Sequence, residues 1–271
     1  MGHYYEGGDS RKRLDYIFEN CISYTHNPLE NMNMSLKSRD KRKSRRHREE
    51  MEERRGSHDI TTFVSRTHKQ QVLWESLVKN TYTIAVGCSG TGKTLTGFHF
   101  GMDYLASGHF EKFVYVRSDV GTEFQRGRGA IKGDYGEKFM PLLTPLIDNA
   151  SLVFRNRGAF EYLINKGIIE GVFLEDIRGR TFNNCFVLAD EMQNTTVNQA
   201  KTIITRIGKN SKLALIGDTS QSDLNVFNRT NGLIDAYDRI GHIDGVGTVK
   251  FQVEDSVRNG LLGRILNAYE G

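Results

Sequence analysis

Eight consecutive residues, Gly87-Cys88-Ser89-Gly90-Thr91-Gly92-Lys93-Thr94, restrict what this chain can become more than any other stretch. They satisfy the pattern G-x-x-x-x-G-K-[ST]. A β-branched and aromatic run at 82–86 leads into them, and a helix-capable stretch from 93 to about 105 follows. Strand, glycine-rich turn and helix start, in that order, make a phosphate-binding loop. The glycines let the backbone fold so that successive N–H groups face the same point. The helix N-terminus adds partial positive charge. In such a loop Lys93 reaches the β and γ phosphates of a nucleotide, and Thr94 ligates Mg²⁺.

A second apolar run, Phe186-Val187-Leu188-Ala189, ends in Asp190-Glu191. A parallel strand carries these acids to its carboxyl end, where ligands sit in open α/β sheets. Asp190 is the expected Mg²⁺ partner, through water, and Glu191 the expected general base for an attacking water. A third run, Leu213-Ala214-Leu215-Ile216, enters Gly217-Asp218-Thr219-Ser220-Gln221. Gln221 is the residue expected to sense the γ-phosphate, with Asp218 second. Arg178, Arg180, Arg206 and Arg258 are candidates to offset phosphoryl charge.

These runs sit in a chain of alternating helix and strand signals. Helices are expected at 67–79, 93–105, 197–208 and 256–269. Strands are expected at 82–86, 113–117, 185–189, 213–217 and 248–253, with further helical and strand material at 142–150 and 168–174. Residues 120–136 read as a long, glycine-rich, charged loop. Short strands that are apolar along their whole length fit a parallel sheet covered on both faces. The expected fold is α/β, a P-loop NTPase with a RecA-like, doubly wound, mainly parallel sheet flanked by helices. One such domain spans 61–271, after a weakly ordered basic region at 1–60.

Within that lead-in, residues 37–55 hold ten Lys/Arg against five Asp/Glu, whereas 60–271 hold 24 against 22. A basic tract beside a near-neutral core suits a phosphate backbone or a solvated tail. Three scattered cysteines argue against a disulfide framework and fit a reducing cytoplasm. No apolar run reaches the roughly 18 residues that span a bilayer, and no secretory signal is evident.

Together these pieces resemble the PhoH-like family, P-loop ATPases related to the core of superfamily 1 helicases. The resemblance covers about residues 67–270. It is carried by Ile177-Arg178-Gly179-Arg180-Thr181-Phe182-Asn183, by Asp190-Glu191-Met192-Gln193-Asn194-Thr195-Thr196, by Gly217–Leu224 and by Asp255-Ser256-Val257-Arg258. Departures are Cys88-Ser89 where Pro-Ala is frequent, Ser118 for a proline, Ala189 before the acids, and a loose match at 122–133.

The resemblance implies ATP with Mg²⁺, an RNA or single-stranded DNA partner, and a homo-oligomer, with hexameric rings known. It implies Gln70 as the adenine contact, with Gln71 behind it. The chain's compactness looks more like a bacteriophage member, active in host cytoplasm. Arg258 or Arg206 then completes the site of a neighbouring subunit. Arg126, Arg128, Lys132, Arg178 and Arg180 are candidate nucleic-acid contacts. The expected function is Mg²⁺-dependent ATP hydrolysis coupled to binding or remodelling nucleic acid, with helicase activity as its extension. The rivals are an ATP-gated assembly protein with slow hydrolysis and, behind it, a small-molecule kinase.

Overall fold

The computed structural model describes residues 60–118, 135–218 and 231–257. The expectations for residues 1–59, for the loop with Arg126, Arg128 and Lys132, for Gln221, and for Arg258 with the closing helix lie outside the described residues.

The described chain runs α1 (His68–Lys79), β1 (Tyr82–Gly87), α2 (Lys93–Ala106), β2 (Lys112–Arg117), α3 (Tyr135–Val153), α4 (Arg157–Asn165), β3 (Ile169–Phe173), β4 (Cys185–Asp190), α5 (Val197–Ile204), β5 (Lys212–Gly217), α6 (Gly232–Ile240) and β6 (Val246–Phe251). The strands form one sheet in the order β3-β2-β4-β5-β1-β6. Every pair in it is parallel. β5 therefore lies between the loop strand β1 and the acid strand β4, and the order reverses around β1. The expected doubly wound α/β sheet is what forms.

Burial explains why the inner strands read as continuous apolar runs. Every residue of β4 is buried, as is every residue of β1 and β5 after the first. On one face, α5 and α6 bring Ala200, Ile203, Leu233 and Ala236 onto Ile84, Val114, Val187 and Leu215. On the other, α2 lies close because Gly97 and Gly101 carry no side chain. A Cβ on Gly97 would stand 2.7 Å from Leu188, and one on Gly101 2.4 Å from the Phe113 ring. β6, an edge strand, alternates between buried and exposed residues instead.

Caps set several boundaries. Thr67 accepts from the Gln70 N–H to start α1. At its other end the Lys212 ammonium donates to the carbonyls of Leu77, Val78 and Asn80 at 2.7–2.8 Å. That arrangement satisfies the orphan acceptors of a helix C-terminus. Helix α5 stops at Ile204, four residues short of the expected 208. The reason is that Phe182 N–H donates to the Arg206 carbonyl, and Gly208 N–H to the Phe182 carbonyl. Those bonds draw 206–208 out of the helix and beside the entry to β4. Helices α4 and α6 were not expected; Asn156 and Asn231 cap them. Among the described residues no helix is long and apolar enough to cross a membrane.

Candidate functional site

At the carboxyl end of β1 the chain turns on three glycines with left-handed backbones, Gly87 (φ 132), Gly90 (φ 75) and Gly92 (φ 84). Two of them are also sterically obligatory. A Cβ on Gly87 would lie 2.1 Å from the Phe251 carbonyl oxygen, and one on Gly92 2.5 Å from Gln70 Nε2. The loop is held from outside at two points. Gln70 Nε2 donates to the Thr91 carbonyl at 2.9 Å, while its Oε1 accepts from the Arg66 N–H at 2.8 Å. The Val257 N–H donates to the Gly90 carbonyl at 3.1 Å. Gln70 is buried, so its carboxamide spans from the start of α1 to the loop.

Lys93 is buried under this loop. Its Nζ donates to the carbonyls of Gly87 (2.8 Å) and Cys88 (2.6 Å) and to Thr91 Oγ1 (3.2 Å). It also stands 5.8 Å from the centre of the Phe251 ring. Burial pulls the ammonium below the ordinary lysine range, while Asp218, Asp190, Cys88 and Glu191 oppose that pull. The cation is thus kept inside the loop by carbonyl oxygens and nearby acids, the kind of partners that phosphate oxygens can replace.

Asp190 comes in from β4. Its Oδ2 accepts from Thr94 Oγ1 at 3.1 Å and from the Tyr115 hydroxyl at 2.7 Å, and its Oδ1 accepts from the Glu191 N–H at 2.9 Å. The parallel register places Arg117 beside Asp190 and Tyr115 beside Leu188, so Tyr115 and Asp190 share a face. Burial, and then the Glu191 charge, raise the Asp190 carboxyl above its usual range. Burial and Asp190 push the Tyr115 phenol well above its own.

Glu191 takes the left-handed conformation (φ 55, ψ 35) that opens a short 3₁₀ turn, Met192–Asn194. Its carboxylate accepts from Gln193 Nε2 at 2.6 Å, and Arg117 Nη2 lies 3.8 Å from it. Gln193 in turn accepts from the Asp218 N–H at 3.0 Å.

The residues present fit Mg²⁺ and a nucleotide triphosphate. Thr94 and Asp190 offer hard oxygens at one point, beside a buried cation and a helix N-terminus. Among the described residues no cluster of three or more His, Cys, Asp or Glu side chains could hold a metal by itself.

The profile of the PhoH-like protein family matches residues 62–270. The chain belongs to the PhoH-like family. The PhoH-like protein of Bacillus subtilis (strain 168) is 35% identical over 205 residues, covering 76% of this chain and 63% of that one. The PhoH-like protein of Synechocystis sp. is 34% identical over 206 residues, covering 76% and 62%. Protein PhoH of Escherichia coli (strain K12) is 32% identical over 219 residues, covering 79% and 60%. The chain thus spans about three fifths of the length of these relatives.

Within this PhoH-like chain the expected Gln70, loop residues, Thr94, Asp190 and Glu191 lie together. Arg180 and Arg206 do not. Arg180 Nη1 pairs with Glu170 Oε1 at 2.9 Å, and its guanidinium lies over the Phe182 ring. Arg206 stands where the chain enters β5, beside Phe182 at the entry to β4. Its Nε is buried without a hydrogen-bond partner. The whole length of a six-residue strand, about 20 Å, separates that end of the sheet from the loop. Tyr115, Arg117 and Gln193 are site residues that sequence reasoning missed. Gln193 stands inside the D-E-x-Q element, and Tyr115 is the one hydroxyl within β2.

Proposed function

We propose that this PhoH-like protein is a Mg²⁺-dependent ATPase that binds or remodels RNA or single-stranded DNA. The observation that carries the reading is the meeting of Thr94, in the first turn of α2, with Asp190 at the end of β4, beside the Lys93 ammonium and next to Glu191. When bound, Mg²⁺ neutralises charge on the β and γ phosphates. The loop N–H groups and Lys93 bind the phosphates, Lys93 exchanging its loop carbonyls for phosphate oxygens. Tyr115 keeps Asp190 oriented toward Thr94. Glu191 accepts the proton of the attacking water. Gln70, fastened to the loop, is the adenine contact in this reading.

Arg206 lies at the opposite end of its own sheet, which suits completion of a neighbouring subunit's site in a ring. Nucleic acid is favoured by family membership and by the basic tract at 37–55, with Arg126, Arg128, Lys132 and Arg178 as phosphate contacts. The relation to superfamily 1 helicase cores rests on the order of the motifs.

The test is steady-state phosphate release from ATP with Mg²⁺, with and without single-stranded RNA or DNA, using Lys93→Ala as the blank. Stimulation by one polymer supports the reading and identifies the substrate class. Turnover indifferent to both, with ATP-dependent oligomerisation, replaces it with the assembly reading.

A further inference from the structure

Gln193 has no role in the chemistry described so far, yet both ends of its side chain are committed. It is 1% exposed. Nε2 donates to Glu191 Oε2 at 2.6 Å, and Oε1 accepts from the Asp218 N–H at 3.0 Å. The orientation of the amide follows from its partners. A backbone N–H can only donate, and an ionised carboxylate can only accept, so oxygen faces β5 and nitrogen faces the acid. The bridge therefore joins the acid at the end of β4 to the first residue after β5.

The space for this bridge is made by Gly217. A Cβ there would lie 2.3 Å from Gln193 Oε1, and Gly217 does not have a left-handed backbone. Its missing side chain thus matters for room, not conformation. Glu191 itself has a left-handed backbone and precedes a 3₁₀ segment of only three residues. Its carboxylate is not held by a long regular element. The short bond from Gln193 is the closest contact that orients it.

We propose that Gln193 is a positioning residue that ties the base Glu191 to the carboxyl end of β5. The inference rests on the ATPase reading above, in which Glu191 activates water. A shift of the chain at Asp218 moves the oxygen end of the amide, and the nitrogen end moves the base. Asp218, at the end of β5, thereby acts on the base through Gln193.

The experiment compares full-length wild type, Glu191→Gln, Gln193→Ala, Gln193→Glu and the double variant Glu191→Gln/Gln193→Glu. Each is assayed for Mg²⁺-dependent kcat and for affinity toward a fluorescent ATP analogue. Gln193→Glu preserves size and the acceptor for Asp218 but replaces the donor with a second negative charge, so it serves even where Gln193→Ala does not fold. Each Gln193 variant is expected to lose about a hundredfold in kcat, with nucleotide affinity within about twofold of wild type. In the double variant, Gln193→Glu is expected to add no loss beyond that of Glu191→Gln, because residues acting as a unit are not additive.

Wild-type kcat in Gln193→Glu, beside an impaired Glu191→Gln, overturns the inference and leaves the ATPase reading standing. So does a double variant whose losses multiply, or a Gln193→Glu that loses nucleotide binding along with turnover. Wild-type turnover in Glu191→Gln instead removes the base assignment, and the positioning role with it.

Discussion

The Tyr115 hydroxyl donates to Oδ2 of Asp190 at 2.7 Å, the same oxygen that accepts from Thr94 at 3.1 Å. One buried carboxylate oxygen therefore joins three elements: β2, β4 and the first turn of α2. Tyr115 is fully buried, and its ring is packed in the layer between the sheet and α2. Its hydroxyl leaves Asp190 little freedom to rotate away from Thr94.

Tyr115→Phe removes that hydroxyl while keeping the ring. A hydrogen bond to a charged group contributes about 1.5–3 kcal/mol, so the denaturation midpoint should fall accordingly. The Mg²⁺ concentration for half-maximal turnover should rise by about tenfold or more, as when other outer ligand partners are removed. A Mg²⁺ titration of phosphate release checks this. An unchanged requirement would mean that Thr94 and the Glu191 N–H orient Asp190 without Tyr115.

Lys93→Ala should abolish binding of a fluorescent ATP analogue, because it removes the ammonium that the loop carbonyls of Gly87 and Cys88 hold. The fold should persist, as those carbonyls can bond water in the space left behind. Circular dichroism beside the binding titration separates the two effects.

Gly87→Ala acts through packing and conformation together. The backbone has φ 132, and the added Cβ would meet the Phe251 carbonyl at 2.1 Å. Parting β1 from β6 at that point should destabilise the protein by about 3 kcal/mol or more. Thermal unfolding of the variant beside wild type is the measurement.

Burial pulls the Lys212 ammonium down to about 8. Between that value and the unfolded lysine value of about 10.4, the unfolded chain binds a proton that the folded chain has released. Stability attributable to this group therefore rises with pH across that window, by on the order of 2–3 kcal/mol. Lys212→Met should lack the rise. Below about pH 8 the variant should also be less stable than wild type, since the carbonyls of Leu77, Val78 and Asn80 lose their charged donor. Denaturant midpoints of both proteins at pH 7, 9 and 10 check the sign.

Arg206→Ala should bind the ATP analogue normally but lose about a thousandfold in turnover, as when an arginine finger is removed. Mixing it with Lys93→Ala should restore part of the activity, since in the proposed ring some interfaces would hold both groups intact. No recovery on mixing would place the role of Arg206 within its own subunit.

The phosphate-binding loop, the acid pair and the apolar strands were readable from residues 82–94, 185–191 and 212–218 because their signals are local. Glycine spacing, strand hydrophobicity and helix-start chemistry all lie within about a dozen positions of one another. The family's motifs extended that reading along most of the chain. Helices α4 and α6 escaped because each is only nine residues long, too short a run for its apolar spacing to stand out.

What the order of residues left undecided is where distant segments meet. Tyr115 lies 75 positions from Asp190, and Gln193 lies 25 from Asp218. Nothing near Tyr115 in the chain marks its hydroxyl as an acid's partner; only the pairing of β2 with β4 does. Arg206 could be proposed from its charge, but the end of the sheet on which it stands follows from the direction of β4 and β5. Local chemistry names the groups that can act. The strand order, set by burying both faces of the sheet at once, decides which of them come within a hydrogen bond of each other.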